Sequence, residues 1–483
     1  MKGKKDLITK IAYACGDIYG GGSFLIVGLL LLAFLTKVEG LSGTWAGIII
    51  FIGKAWDAVT DPVMGILSDR TKSKFGRRRV YFLLGAVPVF ASWVLLWHSF
   101  GITGDAAKIV YYTAAFMFFS TAFTIVMVPY NAILADMIKD YDKRSAFTGI
   151  RLSFSAGAAI LSGIVPGLIT GAFESQKTGY LVMALLFGFV FALSWLAVFF
   201  GTWENTATRS HENSFTFREW FSVFKNRSFR IYSMIFVFSQ MAIDIAMAAA
   251  VFYLSTALQK DHLFVPAMAA ILIVQLLFIV IFSAVSQKSG KKIPGIISAL
   301  IWIAASIFIF AFTPKTPDIL IVAVCSFIGI GAAGCNLVSW SILPDITDVD
   351  ELMTGKRREG LYSGVSTFLR KFSGGIAVGA AGLMLDVFRY DEEAVSMGII
   401  EPVTLIGIKL LFCAVPSLFL IAMLIVLRKY RLGKKEFALM QEVLETYRQR
   451  KEAVMLNAEQ ASVCEQITGV GQHDLFMKDN PSA

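Results

Sequence analysis

The chain has 483 residues, of which 56% are hydrophobic and 16% are charged. Because a soluble domain carries about 25% charged residues, this composition excludes an ordinary soluble protein and indicates that lipid surrounds most of the chain. The formal net charge of +9 follows from cations placed in alternate loops, as described below, so we do not interpret it as nucleic-acid binding.

Twelve apolar stretches recur along the chain, each with roughly the 20 residues that cross about 30 Å of hydrocarbon. A single span of this kind satisfies its backbone polar groups only as a helix, whereas the strands of a membrane barrel are short and alternate in polarity. We therefore predict an all-α polytopic membrane protein whose transmembrane helices lie at residues 10–36, 43–68, 79–100, 107–138, 144–172, 178–203, 229–257, 263–287, 292–313, 317–344, 360–388 and 402–428.

Basic residues are concentrated in the loops that follow the even-numbered spans, as in the runs at 77–79 and 356–358, whereas each loop after an odd-numbered span holds one cation. By the positive-inside rule, both termini and the basic loops are cytoplasmic. We therefore expect a multi-pass protein of the cell membrane.

A polar stretch near the middle of the chain divides the spans into six and six. We predict a six-helix bundle at 1–203, a cytoplasmic middle loop at 204–228, a second six-helix bundle at 229–428 and a cytoplasmic tail with an amphipathic helix at 429–483. The halves echo each other, because "PYNAILADMIKDYDKRSAFTGI" and "ILPDITDVDELMTGKRREGLYSGV" occupy matching places. Two parallel six-span repeats with a cavity between them are a transporter architecture, and we expect the carrier to be a monomer.

The second predicted span carries three ionisable residues, Lys54, Asp57 and Asp61. In a helix these positions lie within about 60° of one another, on one face. Because a charge at the bilayer centre costs about 2.5–3.5 kcal/mol on insertion scales, this face is expected to line a polar cavity. One lysine and two carboxylates leave a negative charge that a monovalent cation, Na⁺ or H⁺, would complete. The alternative is a Lys–Asp pair that only fixes the span to its neighbour.

Other polar residues inside the predicted spans suit a polyhydroxylated solute, because charged groups bond pairs of sugar hydroxyls and aromatic rings stack on the C–H face of a sugar. An arginine together with a lysine also suits an acidic sugar. The candidate substrate-binding residues are Asp17, Tyr130, Asn131, Arg151, Asp244, Asn336, Trp340 and Lys371.

A further set of charged residues lies mostly at the cytoplasmic ends of the spans. Such residues can form ion pairs across the interface between the halves or with the ends of the spans, and these pairs break when the halves rock. For the arginines of "GILSDRTKSKFGRRR" a plain positive-inside anchor is the alternative. The candidate coupling or gating residues are Lys54, Asp69, Arg70, Arg77, Asp136, Arg144, Asp345, Asp348 and Arg358.

The same loop resembles the signature loop of the major facilitator superfamily. The motifs "WDAVTDPVMG", "YACGD" and "LPDITDVDELMTGKRREGLYSG" are more specific, and together they resemble those of the glycoside–pentoside–hexuronide:cation symporters, the family of the melibiose permease. The resemblance covers roughly residues 8–430. It implies the major facilitator fold and a sugar that is transported with Na⁺, Li⁺ or H⁺.

The resemblance also implies roles for residues of the cation site. Asp57 and Asp61 match the two carboxylates that bind the coupling cation in the family, so Na⁺ is an expected ligand there, and Thr124 matches a threonine that assists them. Thr60 stands where the family often has asparagine, and it still offers an oxygen ligand. Lys54 takes the place of a basic residue of the family.

The sugar site departs from the family pattern. Arg151 matches an arginine of the family's sugar site, and Lys371 matches a lysine near both sites. However, the two aspartates with which melibiose permease holds galactosyl hydroxyls are replaced here by Gly21 and Met127, and a tryptophan is replaced by Asn131. We therefore expect a uronide or another acidic glycoside in preference to an α-galactoside.

Taken together, these features predict a secondary active symporter that takes up a glycoside, pentoside or hexuronide with Na⁺ or H⁺ by alternating access. Its expected partners are the sugar, the cation and membrane lipid. A proton-coupled exporter or a carrier of lipid-like solutes with the same fold is the alternative. An enzyme is less favoured, because the five cysteines and four histidines show no zinc-site or catalytic-triad arrangement. We expect no catalytic residues and no cofactor besides the coupling cation.

Overall fold

The computed structural model describes residues 2–138, 141–204, 217–355, 358–450, 456–471 and 475. Within these ranges every regular element is helical, which confirms the predicted all-α class. The side chains of Asp69, Asp136 and Arg144 lie outside the described part of the chain. The coupling roles that the sequence suggests for these three residues therefore stay predictions.

The helices follow the predicted spans closely. Among the residues that the structure describes, eleven helical segments are long and apolar enough to cross a membrane. A twelfth, α3, has 28 residues and differs from them by the ionisable residues that it carries. The helices are α1 (Lys2–Ala14), α2 (Gly16–Ile26), α3 (Gly43–Arg70), α4 (Arg79–Leu96), α5 (Asp105–Met137), α6 (Tyr141–Gly171), α7 (Gln176–Gly201), α8 (Phe217–Ser222), α9 (Arg227–Phe252), α10 (Phe264–Ser289), α11 (Lys292–Phe310), α12 (Asp318–Thr354), α13 (Glu359–Val387), α14 (Glu392–Ser396), α15 (Pro402–Lys409), α16 (Val415–Lys429), α17 (Lys434–Arg450) and α18 (Ala458–Thr468).

Several spans contain π-helical turns that continue the α-helix. α2 continues through the turns Val27–Leu31 and Phe34–Val38, α9 continues through Tyr253–Ala257, and Leu410–Ala414 joins α15 to α16. These additions bring the first, seventh and twelfth spans to membrane-crossing length.

The spans form two bundles of six. In the first bundle α2 packs on α6 and α7, α3 on α5, and α4 on α5 and α7. In the second, α9 packs on α12, α13 and α16, and α12 packs on α10 and α11. The main contacts between the bundles are α3 with α13 and α6 with α10. The space that positions the candidate site is therefore the one between these two seams.

This space is closed at one end. We call the end at which α2 begins and α16 ends the terminus side, and the other end the opposite side. At the opposite side Lys37 Nζ donates to Ser255 Oγ of the other bundle at 2.6 Å. The described contacts between α3 and α13 run from this side to the level of Asp61 and Lys371, and the close approaches of α6 to α10, at Gly163 and Gly167, lie in the opposite-side half of α6. The space between the bundles therefore opens toward the terminus side.

Helix α12 is longer than the sequence predicts, because it continues past residue 344 to Thr354. The acidic cluster that follows the predicted span therefore stands on a helix. Asp345 is held by Lys291 at 2.6 Å, and Asp350 is held by Arg358 at 2.6 Å. These partners belong to the second bundle, and they satisfy the carboxylates of the extended helix.

The tail packs on the same bundle through α17. Leu444 is fully buried, and Gln441 donates to Asp348 of α12 at 2.7 Å. Arg448 donates two hydrogen bonds to Glu351, at 2.9 and 2.6 Å. The tail helix thus covers acidic residues at the terminus-side end of α12.

Candidate functional site

The centre of the candidate cation site is formed by α3 and α5. Thr124 Oγ1 lies 2.9 Å from Asp57 Oδ1 and 2.9 Å from Asp61 Oδ1. A hydroxyl has one hydrogen, so it donates to one of these carboxylates at a time. Thr60 Oγ1 donates to the backbone carbonyl of Asp57 at 3.1 Å and lies 3.3 Å from Thr124 Oγ1. The structure thus brings together the four residues that the sequence assigns to the cation.

An ammonium group from the second bundle bridges the two carboxylates. Lys371 Nζ lies 2.8 Å from Asp57 Oδ2 and 2.5 Å from Asp61 Oδ2. Asp57 is fully buried, whereas the side chain of Asp61 is 25% exposed. Lys371, which the sequence assigns to the substrate, therefore lies in the candidate cation cluster, and Asp61 is the more accessible of the two carboxylates.

These oxygen atoms fit a monovalent cation. Carboxylate and hydroxyl oxygens are hard ligands of the kind that Na⁺ accepts, and a proton would bind one carboxylate. The Lys371 ammonium already occupies the space between the two carboxylates, and like charges at contact distance repel strongly away from water. A cation that binds both carboxylates must therefore displace Lys371 from at least one of them.

A second ionic cluster lies next to the first. Arg370 Nη1 lies 2.6 Å from Asp244 Oδ2, and Arg370 Nη2 lies 2.9 Å from Asp244 Oδ1, which is a two-pronged ion pair. A Cβ built on Gly374 would lie 2.6 Å from Asp244 Oδ2, 2.9 Å from Arg370 Nη1 and 3.0 Å from Lys54 Nζ. All three charged groups therefore meet over the bare backbone of Gly374.

This arrangement changes the charge balance expected from the sequence. Lys54 shares a face of α3 with the two carboxylates, but its ammonium extends toward Asp244, over Gly374, which has no side chain to block it. Lys371 contacts Asp57 and Asp61 in its place. Over the two clusters together, three carboxylates face three cations, so their charges are balanced before any coupling cation binds.

Arg370 is a residue of these clusters that the sequence analysis did not select. It directly precedes Lys371 in the same apolar span, so an intramembrane charge was visible at that position. Its partner Asp244, which the sequence assigns to the substrate, bonds to Arg370, and a role of Asp244 in binding the substrate stays a prediction.

The candidate sugar residues of the first bundle form a third cluster. Arg151 Nε lies 3.0 Å from Asp17 Oδ2, and its Nη2 lies 3.1 Å from Asp17 Oδ1 and 2.8 Å from Asn131 Oδ1. The guanidinium stands 4.5 Å from the centre of the Tyr130 ring, and the Tyr130 hydroxyl donates to the backbone carbonyl of Tyr13 at 2.8 Å. Tyr130 is fully buried, so it supports Arg151, whereas Asn131 is exposed.

The candidate sugar residues of the second bundle make contacts within that bundle. Asn336 Oδ1 accepts a hydrogen bond from Gln240 Nε2 at 3.2 Å. Trp340 is 49% exposed and packs edge-on against Phe236, with ring centres 5.3 Å apart. The contacts described for these residues do not connect them to Arg151, so their part in a sugar site stays a prediction.

The basic loop between α3 and α4 is held by an acidic residue that the sequence reasoning did not select. The Glu204 carboxylate accepts hydrogen bonds from the backbone N–H groups of Arg77, Arg78 and Arg79, at 2.9, 2.8 and 2.8 Å. This carboxylate caps the start of α4, and the visible signal was an acidic residue directly after the sixth span. Arg70 is exposed.

Comparison with known proteins identifies the family. The profile of the family described as "MFS/sugar transport protein" matches residues 12–434. The chain is 27% identical over 473 residues to a putative sulfoquinovose importer of Escherichia coli, with 95% of this chain and 97% of that protein covered. It is 24% identical over 469 residues to the sodium-dependent lysophosphatidylcholine symporter 1 of Gallus gallus, with 89% and 87% covered.

Solved structures show the same fold. A bacterial homologue of the human lysosomal transporter Spinster, in an inward-facing and unoccupied conformation, superposes with a TM-score of 0.65 at 12% identity, covering 92% of this chain and 98% of that one. A D-xylose–proton symporter gives a TM-score of 0.60 at 15% identity, with 86% and 97% covered. The chain is therefore a multi-pass membrane transporter, not an enzyme, and it belongs to the MFS/sugar transport protein family of the major facilitator superfamily.

Proposed function

We propose that this protein is a cation-coupled symporter that takes up an acidic sugar by alternating access. The observation that carries this proposal is the position of Lys371, whose ammonium bridges Asp57 and Asp61. The carboxylates belong to the first bundle and the lysine to the second, so the coupling cation competes for a contact that ties the two bundles together. Na⁺ and H⁺ both compete for these oxygens, and we propose one of them as the coupling ion.

Charge balance supports an acidic substrate. When a cation displaces Lys371, the lysine loses its carboxylate partners in a region of low polarity, where an uncompensated charge is costly. A carboxylate or sulfonate on the sugar would compensate the released ammonium. Binding of the cation then favours binding of the anion, and by linkage the anion must favour the cation by the same factor.

The first-bundle cluster supports recognition of the sugar ring. The Arg151 side chain is 20% exposed and Asn131 is exposed, so a guanidinium and a side-chain amide are both accessible to a sugar. The position at which melibiose permease carries an aspartate is closed, because a Cβ on Gly21 would lie 2.5 Å from Ser155 Oγ. This supports a substrate other than an α-galactoside. The printed name of the Escherichia coli relative, a putative sulfoquinovose importer, also points to an acidic sugar.

A second candidate function is transport of an amphipathic, lipid-like solute. An apolar cavity lies between the bundles, and the printed name of the chicken relative states a lysophosphatidylcholine substrate. An acyl chain would fit such a lining. Its lining residues include Leu25, Leu29, Met247, Met268, Leu272 and Phe412.

The proposal extends to the orientation of the protein in the membrane and to its oligomeric state. We propose that the terminus side is cytoplasmic, following the positive-inside rule, so that the described state is inward-facing. The carrier is proposed to work as a monomer, with the coupling cation as its only inorganic requirement.

Counterflow into proteoliposomes tests the function. The panel contains glucuronic acid, methyl glucuronide, methyl glucoside, methyl galactoside and lysophosphatidylcholine, each with and without Na⁺ and with and without a pH gradient. We expect exchange of the acidic sugars, stimulated by one of the two ions. Exchange of lysophosphatidylcholine alone would replace the first candidate by the second.

The cation site is tested in the same vesicles. Asp57→Asn and Asp61→Asn are expected to abolish concentrative uptake, whereas Asp318→Asn, at an exposed opposite-side aspartate that pairs with Lys260, serves as the matched control. Wild-type accumulation in either site variant contradicts the proposal.

A further inference from the structure

The seam between α3 and α13 carries a contact that the transport cycle has to break. Asp386, near the end of α13, accepts hydrogen bonds from the backbone N–H groups of Gly43 and Thr44 at the start of α3, at 2.7 and 2.8 Å. The first N–H groups of a helix have no partner within the helix. Here they bond to a carboxylate of the other bundle, and the helix dipole also favours an anion at this end.

The two helices touch backbone to backbone beneath this carboxylate. A Cβ built on Gly382 would lie 2.1 Å from the carbonyl oxygen of Gly43, and a Cβ on Gly43 would lie 2.3 Å from the carbonyl oxygen of Gly382. One turn further, a Cβ on Gly47 would lie 2.8 Å from the carbonyl oxygen of Gly379. Real Cβ atoms do not approach this closely, so any larger residue at Gly382 would force the bundles apart.

The same seam leads to the cation site. α3 and α13 run antiparallel, and Phe51 of α3 packs on Gly375 of α13 between the two ends of the seam. Asp386 closes the opposite-side end, and Lys371 bridges the α3 carboxylates at the other. Each helix thus carries one half of two polar contacts between the bundles, separated by about 22 Å at 1.5 Å per residue.

We propose that Asp386 locks the opposite side of the transporter in its closed state. Its carboxylate holds the start of α3 against α13 in the described state, and the glycine contact beneath it lets the two backbones close without a gap. Opening to the opposite side requires this contact to break, as well as the Lys371 contact that the cation displaces. The lock acts on the helices of the transporter whichever solute is carried.

Spin-label distances in nanodiscs test the lock. One label is placed at Val110, near the opposite-side end of α5, and the other at Met397, in the opposite-side loop of the second bundle. These side chains are 70% and 71% exposed. Cys15 is replaced by alanine, since the other four cysteines are buried. The wild type is expected to show mainly the closed distance.

Two variants attack the lock by different means. Asp386→Asn keeps the shape but removes the charge, and the loss of charge-assisted hydrogen bonds corresponds to about a tenfold rise in the ratio of open to closed molecules. Gly382→Ala acts sterically and is expected to shift the distribution to longer distances. Gly379→Ala is the matched control on the same helix, because its Cβ would lie 3.6 Å from the nearest atom, in ordinary contact.

Further readouts separate a lock from general loss of structure. Asp386→Glu keeps a carboxylate, so it is expected to restore part of the closed population, and the melting temperature of each variant shows whether it is folded. If Gly382→Ala fails to fold, Asp386→Asn alone decides. A folded Asp386→Asn variant with the wild-type distance distribution overturns the proposal, and so does an equal shift in Gly379→Ala.

Discussion

Lys371 and Asp61 join the two bundles, with the lysine Nζ 2.5 Å from Asp61 Oδ2. The lysine stands on α13 and the aspartate on α3, so one contact serves both as a tie between the bundles and as the occupant of the candidate cation site. A buried ion pair carries a desolvation cost that only good geometry and full charge compensation offset. Removing or displacing either partner should therefore strongly change cation binding and the contact between the bundles. The first predictions follow from this arrangement.

Replacing Lys371 with glutamine is expected to increase the affinity for Na⁺ by about tenfold, because the internal competitor for the two carboxylates is lost. Isothermal titration of the purified protein at about pH 8 measures the change. Lys291→Gln is the control, since Lys291 pairs with Asp345 at 2.6 Å within the second bundle. An unchanged affinity in Lys371→Gln would show that the ammonium does not compete with the cation.

The Thr124 hydroxyl offers a way to identify the coupling ion. Thr124→Val keeps the shape of the side chain but removes the oxygen that lies 2.9 Å from both carboxylates. If Na⁺ is the ion, its affinity is expected to fall by about tenfold, since one hard ligand is lost. A proton needs only a carboxylate, so proton-driven uptake would change little.

The control for this variant is Thr113→Val on the same helix, because the described hydrogen bond of the Thr113 hydroxyl goes to the backbone carbonyl of Ile109, at 2.7 Å. If uptake is driven by Na⁺ and the Thr124→Val variant binds Na⁺ with the affinity of the wild type, then Thr124 is not a ligand of the cation.

The cation residues could be predicted from sequence because a charge inside an apolar span is conspicuous. Helical periodicity and the cost of burying a charge were enough to select Asp57 and Asp61 from the sequence. The contact between Asp61 and Lys371 could not be predicted from helical periodicity, because Lys371 lies 310 positions further along the chain. Which residues of α13 face α3 depends on the register of two helices, and a single sequence does not contain that register.

The position of the Lys54 ammonium also depends on contacts with another helix. The sequence shows the charge of Lys54 and the helix face on which it lies, but not that Gly374 on another helix leaves room for its side chain to extend toward Asp244. The gating candidates Asp345 and Arg358 likewise show their charge, whereas their described partners, Lys291 and Asp350, depend on the extension of α12 and on the loops near it.

Arg151 is expected to need its planar fork and not only its charge. Arg151→Lys cannot reproduce the paired contacts at 3.0 and 3.1 Å to Asp17, because an ammonium is a point donor. We expect KM for an acidic sugar to rise by about tenfold with kcat within about threefold, since ground-state and transition-state binding are weakened alike. Initial rates of uptake at varied sugar concentrations measure both constants.

The control for this variant is Arg230→Lys. Arg230 is exposed and donates to the backbone carbonyls of Phe224 and Lys225, so the exchange should leave both constants unchanged. A wild-type KM in Arg151→Lys would place the sugar elsewhere in the cavity.

The cluster over Gly374 leads to an asymmetric prediction about stability. Asp244 is 7% exposed and faces two cations, Arg370 directly and Lys54 nearby. Asp244→Asn leaves both cations without their carboxylate, and breaking a buried pair in this way costs about 3–5 kcal/mol. Arg370→Gln leaves Lys54 to compensate Asp244, so its cost should be clearly smaller.

Melting temperatures in detergent, followed by tryptophan fluorescence, measure this difference. We expect the order wild type, Arg370→Gln, Asp244→Asn, from most to least stable. Adding Lys54→Met to Asp244→Asn should recover part of the loss, because one of the two uncompensated charges is then removed. If Arg370→Gln is as unstable as Asp244→Asn, or if Lys54→Met lowers the melting temperature further, then Lys54 does not compensate Asp244.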